Sequence, residues 1–509
     1  MIPAAGTLLD AIRWWAVERR DEPALVSAQG NLTHGELDAW AARVADWLVE
    51  QGIAAGERIT IIATNCLEWC VMAQGALRAG VLLAPINPRF TLSEADHVLG
   101  RYEPRLVFHD PARQDLAEAL RARHPEVRCF PLALVHELRT REPARSGTWP
   151  AIDADTPVVI IGTSGSTGYP KGVVYSHRTM LAGYTDFALA EAWAADRPRV
   201  MVFGPLCVSA GYYVFTEMLV FGGTAYLEDN FDAARALRRV EEDRITILMG
   251  VPVFFERMAA CPAFAGTDLS SLRMVQSGGA RVSQQLIETW AGRGLVFQQL
   301  YGQTEAGGTA TINPRSVAAS QPDKCGRGMP MTRLAIIDEQ GRFCAPGVPG
   351  EIVVRGPAVM VGYWRDPEAT AQALVDGWLR TGDLGVMDEH GLLTMIDRIK
   401  DIIISGGMNI AAAEVERVVA DFPGVAEVAV IAAKDERFGE TPMAVVYAPQ
   451  GLDVPGLVRH CNEHLSDYKV VRYIAVRDEP LPRVAAGKIS KPELRKLYAD
   501  AHLTLQKVR

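Results

Sequence analysis

From about residue 59 onward, short apolar runs alternate with stretches of helical periodicity, and this alternation restricts the fold more than any other feature of the chain. Residues 59–63, 81–86 and 106–109 read as strands, separated by helical stretches over 68–78 and 93–102. The rhythm returns with a helix over 232–243, a strand over 245–249, a helix over 283–291 and a strand over 296–300. Strands that alternate with helices build parallel sheets, so an α/β architecture with a second sheet layer is expected. Between about 326 and 396 the texture changes to strands with Gly and Pro turns, including EIVVRGP and a hairpin around His390 and Gly391, which predicts a small β-rich subdomain. Beyond Lys400 a compact α+β pattern follows, with helices over 413–421 and 457–465 and strands over 428–432, 443–447 and 473–476. A segment of about 110 residues can form a core of its own.

The run TSGSTGYPKG at 163–172 directly follows an apolar strand-like stretch over 158–161. Glycines let backbone N–H groups approach an anion, Thr163, Ser164, Ser166 and Thr167 offer hydroxyls, and Lys171 adds a positive charge, so the loop can wrap a phosphate chain. It departs twice from the P-loop pattern, with Pro170 in place of the second glycine and Gly172 in place of the metal-binding hydroxyl. Val173, Val174 and Tyr175 then read as more strand, whereas a P-loop opens a helix at once. A P-loop NTPase is disfavoured. Alone, such a run is as readily a Gly- and Ser-rich surface turn.

At 509 residues the chain exceeds what one hydrophobic core supports, and two or more domains are expected. Hydrophobic residues at 49% and charged residues at 22% argue against disorder. The net charge of -9 disfavours a general nucleic-acid or anionic-membrane surface, so no nucleic acid is expected as a partner and any polyphosphate site must be local. The 8 cysteines are scattered without a C-x-x-C pair, and Cys66 with Cys70 reads as one helix face, not a metal site; a reducing cytoplasm is the expected location. Residues 1–20 read as an amphipathic helix, and no apolar run approaches the roughly 18 residues of a spanning helix. No targeting segment or membrane span is expected.

TSGSTGYPKG at 163, SGGA at 277, YGQTE at 301, RTGDLG at 380, DRIKDIIISGGMNI at 397 and PRVAAGK at 482 occur in the order in which the adenylate-forming enzymes carry such motifs. The chain resembles that superfamily, which includes acyl-CoA and aryl-CoA synthetases, adenylation domains of peptide synthetases and luciferases. GERITIIATNCLEW at 56, RAGVLLAPINPRF at 78 and GEIVVRGPAVMVGYW at 350 extend the likeness over most of the chain. The resemblance implies a large N-terminal domain over 1–399, built of two α/β subdomains and a β-barrel, and a small mobile α+β domain over 400–509. It implies ATP, Mg²⁺ and CoA as cofactor and co-substrates.

By the same resemblance, Thr163, Ser164, Gly165, Ser166, Thr167 and Gly168 would hold the β,γ-phosphates with help from Lys171. Gly279, Ala280 and Tyr301 would bracket the adenine, and Ser277, Gly278, Gly302 and Gln303 would also belong to the nucleotide site. Glu305 would hold Mg²⁺ and Thr304 would bond the α-phosphate. Asp383 would accept from the ribose hydroxyls with Arg398 beside it, and Lys488 would reach the carboxylate and α-phosphate from the second domain. Lys400 matches the hinge, and Ser405, Gly406 and Gly407 would face the thiol tunnel, although SGGMN alone reads as a hairpin turn. Taken singly, Lys488 is an ordinary solvated charge, Asp383 a turn former and Glu305 a helix N-terminal carboxylate; the order of the motifs lifts all three.

Two departures bear on the substrate. Many acyl-CoA synthetases read P-L-F-H-x-x-G where this chain has PLCVSAG at 205, so Val208 stands in place of histidine. Amino-acid-activating relatives often place aspartate near there to pair an ammonium, which Val208 does not do. The acyl pocket is expected around Val208, Ser209, Gly211, Tyr212, Val251 and Gly302, an apolar lining with a few hydroxyls that suits a fatty, alicyclic or aromatic acid. The second departure is IAAAEVE after Asn409, where relatives often carry an aromatic and a proline. The leading expectation is an ATP-dependent acid–thiol ligase making an acyl-CoA. The alternatives are a stand-alone ligase that loads a carrier protein, a luciferase-type oxygenase and a catalytically silent nucleotide-binding protein. The resemblance also admits a homodimer.

Overall fold

The computed structural model describes residues 6–142, 149–163, 170–191, 196–280, 282–484 and 487–509. The chain divides into two compact units, Met1–Leu334 with Val354–Arg380, and Ala335–Val353 with Thr381–Arg509.

The first unit carries the two α/β layers. One sheet runs in the order Phe297–Gln299, Met274–Ser277, Ile247–Gly250, Arg199–Val202, Thr224–Leu227, Pro23–Ser27 and Gly30–Thr33, parallel except for the last pair. The other runs Gly362–Tyr363, Lys171–Ser176, Pro157–Thr163, Leu82–Leu83, Arg58–Ile62, Leu106–His109 and Arg128–Pro131. Central strands are apolar at successive positions, as Ile61, Ile62, Val107 and Phe108 are, because parallel strands are covered on both faces.

Helix starts follow side-chain chemistry. Thr91 and Glu94 form a capping box that opens the helix Leu92–Tyr102, and Asp232 and Ser283 cap Ala233–Glu242 and Gln284–Ala291 in place of being their first residues. The expected strand over 81–86 is regular only at Leu82–Leu83. Pro85 has no N–H to donate, yet Leu82, Ala84 and Ile86 still donate to Glu57, Ile59 and Ile61, so the stretch runs extended along its neighbour.

The β-rich segment over 326–396 is not one subdomain. Val354–Arg380 belongs to the first unit, where Gly362–Tyr363 pairs antiparallel with Lys171–Ser176 and covers its open edge. In the second unit, the strand residues from Asp383 to Met387 turn back as Leu393–Arg398 through Gly391 at φ 74, the hairpin expected there. A second sheet orders Met408–Ile410, Ile403–Ser405, Gly439–Tyr447 and Glu427–Asp435, with Tyr473–Arg477 parallel to Gly439–Tyr447. Along Gly439–Tyr447, Ala444 and Val446 face the helices Ala412–Ala420 and Val454–His464, while Met443 and Val445 face Tyr473, Leu481 and Leu494. That period of two gives this small unit a core on each face of its sheet. Among the described residues, no helix is long and apolar enough to cross a membrane.

Candidate active site

The site in the first unit is built at the ends of strands. Pro157–Thr163 and Lys171–Ser176 form an antiparallel hairpin in which Thr163 lies opposite Lys171. A strand that returns as a strand cannot be the strand–helix junction of a P-loop NTPase. Gly172 is required here, since a Cβ would lie 2.6 Å from Ile160 Cγ2 and 2.8 Å from the Tyr102 ring. Ser164, Gly165, Ser166, Thr167 and Gly168 lie outside the described residues.

In the other sheet Gly250, Ser277 and Gln299 are in register at the carboxyl edge, so the segments after them emerge side by side. These carry Val251, Gly278 to Ala280, and Tyr301 to Glu305. Ligands of open α/β sheets bind outside this edge. Gly279 adopts φ 78, and at Gly278 a Cβ would run into Leu300. Tyr301 is buried, with its N–H donated to Thr311 Oγ1 at 2.8 Å. At Gly302 a side chain would meet the carbonyl of Gly308, so only glycine lets this turn close.

The turn Thr304–Ala306 is fixed from four sides. The buried Tyr175 hydroxyl donates to the Thr304 carbonyl, and Ser209 Oγ lies 3.0 Å from Thr304 Oγ1. Met360 N–H donates to the Glu305 carbonyl at 3.0 Å. On the side chain, Glu305 Oε1 accepts from the Tyr363 hydroxyl at 3.0 Å and from Thr163 Oγ1 at 3.3 Å. Burial and the Glu305 carboxylate push the Tyr363 phenol well above its usual range, so it stays protonated and donates. Lys171 Nζ stands 4.9 Å from the centre of the Tyr363 ring.

Of the expected acyl-pocket residues, Val208 caps the helix Ser209–Val220 without a side-chain bond, and Ser209 begins it beside Thr304. Gly211 sits where a Cβ would meet the Pro205 carbonyl, and the Tyr212 ring packs edge-on against Trp69 at 6.1 Å within the buried core.

The remaining expected residues lie in the second unit. Asp383 is buried opposite Arg398 in the hairpin register, with Arg398 Nε 3.3 Å from its Oδ1. Lys400 lies in the single turn Ile399–Asp401, just before the strand Ile403–Ser405. Gly406 and Gly407, at φ 57 and 83, make the tight turn that joins this strand to Met408–Ile410; Ser405 is buried at its base. Lys488 sits in a loop closed by an Arg483–Ile489 bridge and by Val484 N–H donating to the Lys488 carbonyl at 2.8 Å. Arg483 and Leu481 both bond Glu427, which fastens the loop to the sheet. The IAAAEVE departure is repaired at a distance: Ala411 offers no cap, and Asp397 Oδ2 accepts from Ala413 N–H at 2.9 Å instead.

Tyr363 and Tyr175 are site residues that reasoning from sequence did not assign. Tyr363 lies within GEIVVRGPAVMVGYW, a stretch that the resemblance included without giving any of its side chains a role.

Fold and site together define an adenylate-forming enzyme. The chain belongs to the AMP-binding enzyme family: residues 12–364 match the model of the AMP-binding enzyme and residues 414–488 that of the AMP-binding enzyme C-terminal domain. It is 35% identical to a feruloyl-CoA synthase of an Amycolatopsis species, over 92% of this chain and 94% of the relative. It is 36% identical to a 3-[(3aS,4S,7aS)-7a-methyl-1,5-dioxo-octahydro-1H-inden-4-yl]propanoyl:CoA ligase of Mycobacterium tuberculosis, over 94% and 96%. Among solved structures, ATP-bound MatB from Rhodopseudomonas palustris superposes with a TM-score of 0.88 at 28% identity, covering 97% of this chain and 99% of that one.

Proposed function

We propose that the protein is an ATP-dependent acid–thiol ligase that converts a fatty, alicyclic or aromatic carboxylic acid to its CoA thioester through an acyl-adenylate. In the first half-reaction a carboxylate oxygen bonds to the α-phosphorus of ATP and pyrophosphate leaves. In the second the CoA sulfur bonds to the acyl carbon, the acyl C–O bond breaks, and AMP leaves with the electron pair. The observation that carries this reading is the Glu305 carboxylate, oriented by the hydroxyls of Thr163 and Tyr363 beside a Thr304 hydroxyl paired to Ser209. Two anions must meet in the first step, so catalysis rests on oriented donors and cations that offset their repulsion.

In this reading Thr163 and Lys171, with the loop they flank, hold the β,γ-phosphates. Gly279, Ala280 and Tyr301 bracket the adenine within a nucleotide site that includes Ser277, Gly278, Gly302 and Gln303, Thr304 bonds the α-phosphate, and Asp383 with Arg398 reads the ribose. The carboxylate oxygens of Glu305 are donors of the kind a hard cation takes, and Glu305 would hold Mg²⁺. Bound there, the ion neutralises phosphate charge. Lys488 offsets charge on the carboxylate and α-phosphate during adenylation. A pivot at Lys400, between domains of 1–399 and 400–509, then brings Ser405 to Gly407 to the thiol. Val208 leaves the acyl side without a partner for an ammonium group, which disfavours an α-amino acid. All eight cysteines are free thiols, which supports a cytoplasmic location.

A library of carboxylic acids, scored for ATP-dependent release of pyrophosphate and AMP with CoA present, tests the proposal. Turnover with one class of acid is expected. No pyrophosphate release from any acid would leave a silent nucleotide-binding protein in its place, and faster turnover with a pantetheinylated carrier protein than with CoA would make the carrier the acceptor.

A further inference from the structure

Tyr363 touches the site twice, and each contact uses a different part of the ring. Its hydroxyl donates to Glu305 Oε1 at 3.0 Å, and its face receives the Lys171 ammonium at 4.9 Å from the centroid. A cation on the ring face draws electron density from the phenol and makes its O–H a stronger donor, so the two contacts reinforce each other. The backbone holds the ring in place. Tyr363 pairs with Val173, Trp364 N–H donates to the Gly172 carbonyl at 2.7 Å, and Tyr363 N–H donates to Thr370 Oγ1 at 2.9 Å. Downstream, Asp366 caps the helix Pro367–Ala373 and pairs with Arg101 at 2.6 Å.

A glutamate side chain has several rotatable bonds, and a carboxylate left to rotate pays ordering entropy each time it takes up a ligand. Here Thr163 and Tyr363 converge on the same oxygen, Oε1, and among the described residues no hydrogen bond uses Oε2. Donors to one oxygen of a carboxylate orient the other, as the outer partners of metal-ligating groups do.

We propose that Tyr363 is a positioning residue that joins the metal-holding and phosphate-holding halves of the site: its hydroxyl fixes Glu305 so that Oε2 is presented to the Mg²⁺ that accompanies ATP, and its ring face parks Lys171 for the phosphates. This rests on the adenylation reading above. It differs from a structural role, in which the hydroxyl only satisfies a half-buried carboxylate.

The ring's two contacts separate in two variants. Tyr363→Phe keeps the face for Lys171 and removes the donor; Tyr363→Leu removes both. ATP binding is measured by calorimetry over a series of Mg²⁺ concentrations and without metal, and Mn²⁺ binding in the presence of ATP by electron paramagnetic resonance. Y363F is expected to raise the Mg²⁺ and Mn²⁺ needed for half-saturation about tenfold or more, the range of one hydrogen bond to a charged group, while metal-free ATP affinity stays within about twofold of wild type. Y363L is expected to show that shift and, in addition, weaker metal-free ATP binding. Thermal unfolding is followed alongside. A metal requirement unchanged in Y363F, or one that moves only in step with a lowered unfolding midpoint in both variants, overturns the proposal. Failure of the wild type itself to bind ATP with Mg²⁺ would overturn the adenylation reading instead.

Discussion

Lys488 separates the two half-reactions at the scale of one side chain. On the proposed reading its ammonium is required only where a carboxylate attacks a phosphate, because that step alone brings two anions together. The loop that carries it is also fastened by its own backbone bonds and by Arg483 on Glu427. Lys488→Ala is therefore expected to lower acid-dependent ATP–pyrophosphate exchange by about a hundredfold or more, while thioester formation from a supplied acyl-adenylate falls by no more than about threefold. Equal loss in both assays would remove Lys488 from the adenylation step. The residues that could be read from the sequence were those inside a named motif. Glu305 and Thr304 lie in YGQTE, but the carboxylate is bonded by Thr163 and by Tyr363, and the place of Tyr363 depends on a two-residue strand pairing with Val173 and Val174. A two-residue strand has no periodicity to detect.

At the scale of elements, the proposed pivot lies in the turn Ile399–Asp401. It follows Arg398 and leads within two residues into the hairpin Ile403–Ser405 and Met408–Ile410, and Arg495 pairs with Asp401 at its end. Proline at 400 fixes its own φ and disfavours helical angles at Ile399, and so limits rotation about the peptide units between Arg398 and the hairpin. Lys400→Pro is expected to keep pyrophosphate exchange within about threefold of wild type and to cut overall CoA-dependent turnover at least about tenfold. Collapse of exchange together with turnover would place the pivot elsewhere. Some elements were legible to within a residue, as the strand over 106–109 is Leu106–His109 and the helix over 413–421 is Ala412–Ala420, but the strands over 428–432 and 443–447 extend to Glu427–Asp435 and Gly439–Tyr447, and the helix over 457–465 opens at Val454. What was not legible was partnership. The segment around 362 carries the Gly and Pro turns of its neighbours, yet it crosses to the first unit's sheet because the edge of Lys171–Ser176 needs a strand more than the β-rich segment does.

At the scale of the molecule, three buried groups set how stability varies with pH. Burial holds His34 and His177 down to about 4, from 6.5, and pushes Glu217 up to about 8, from 4.5. Between pH 4.5 and 6.5 unfolding lets both histidines take up protons and Glu217 release one, so the unfolded chain binds one proton more and stability rises with pH. Between 6.5 and 8 only Glu217 differs. The native state keeps a proton that the unfolded chain has lost, and stability falls as pH rises, with a slope of ~1.4 kcal/mol per pH unit. These three groups place the maximum near pH 6.5. All 10 tryptophans fall in Met1–Leu334 or Val354–Arg380, as do the three groups, so tryptophan emission reports the unfolding of this unit alone. Glu217→Gln, which cannot ionise, is expected to abolish the decline above pH 6.5 and to raise the unfolding midpoint at pH 8 relative to wild type, while the loss of stability below 6.5 becomes steeper. The steeper acid limb follows because nothing then offsets the two histidines. A decline above pH 6.5 of the same size in the variant would mean that Glu217 is ionised in the native state at neutral pH, with a partner that offsets its burial near Tyr213 of its own helix and Tyr184 of the helix His177–Ala190.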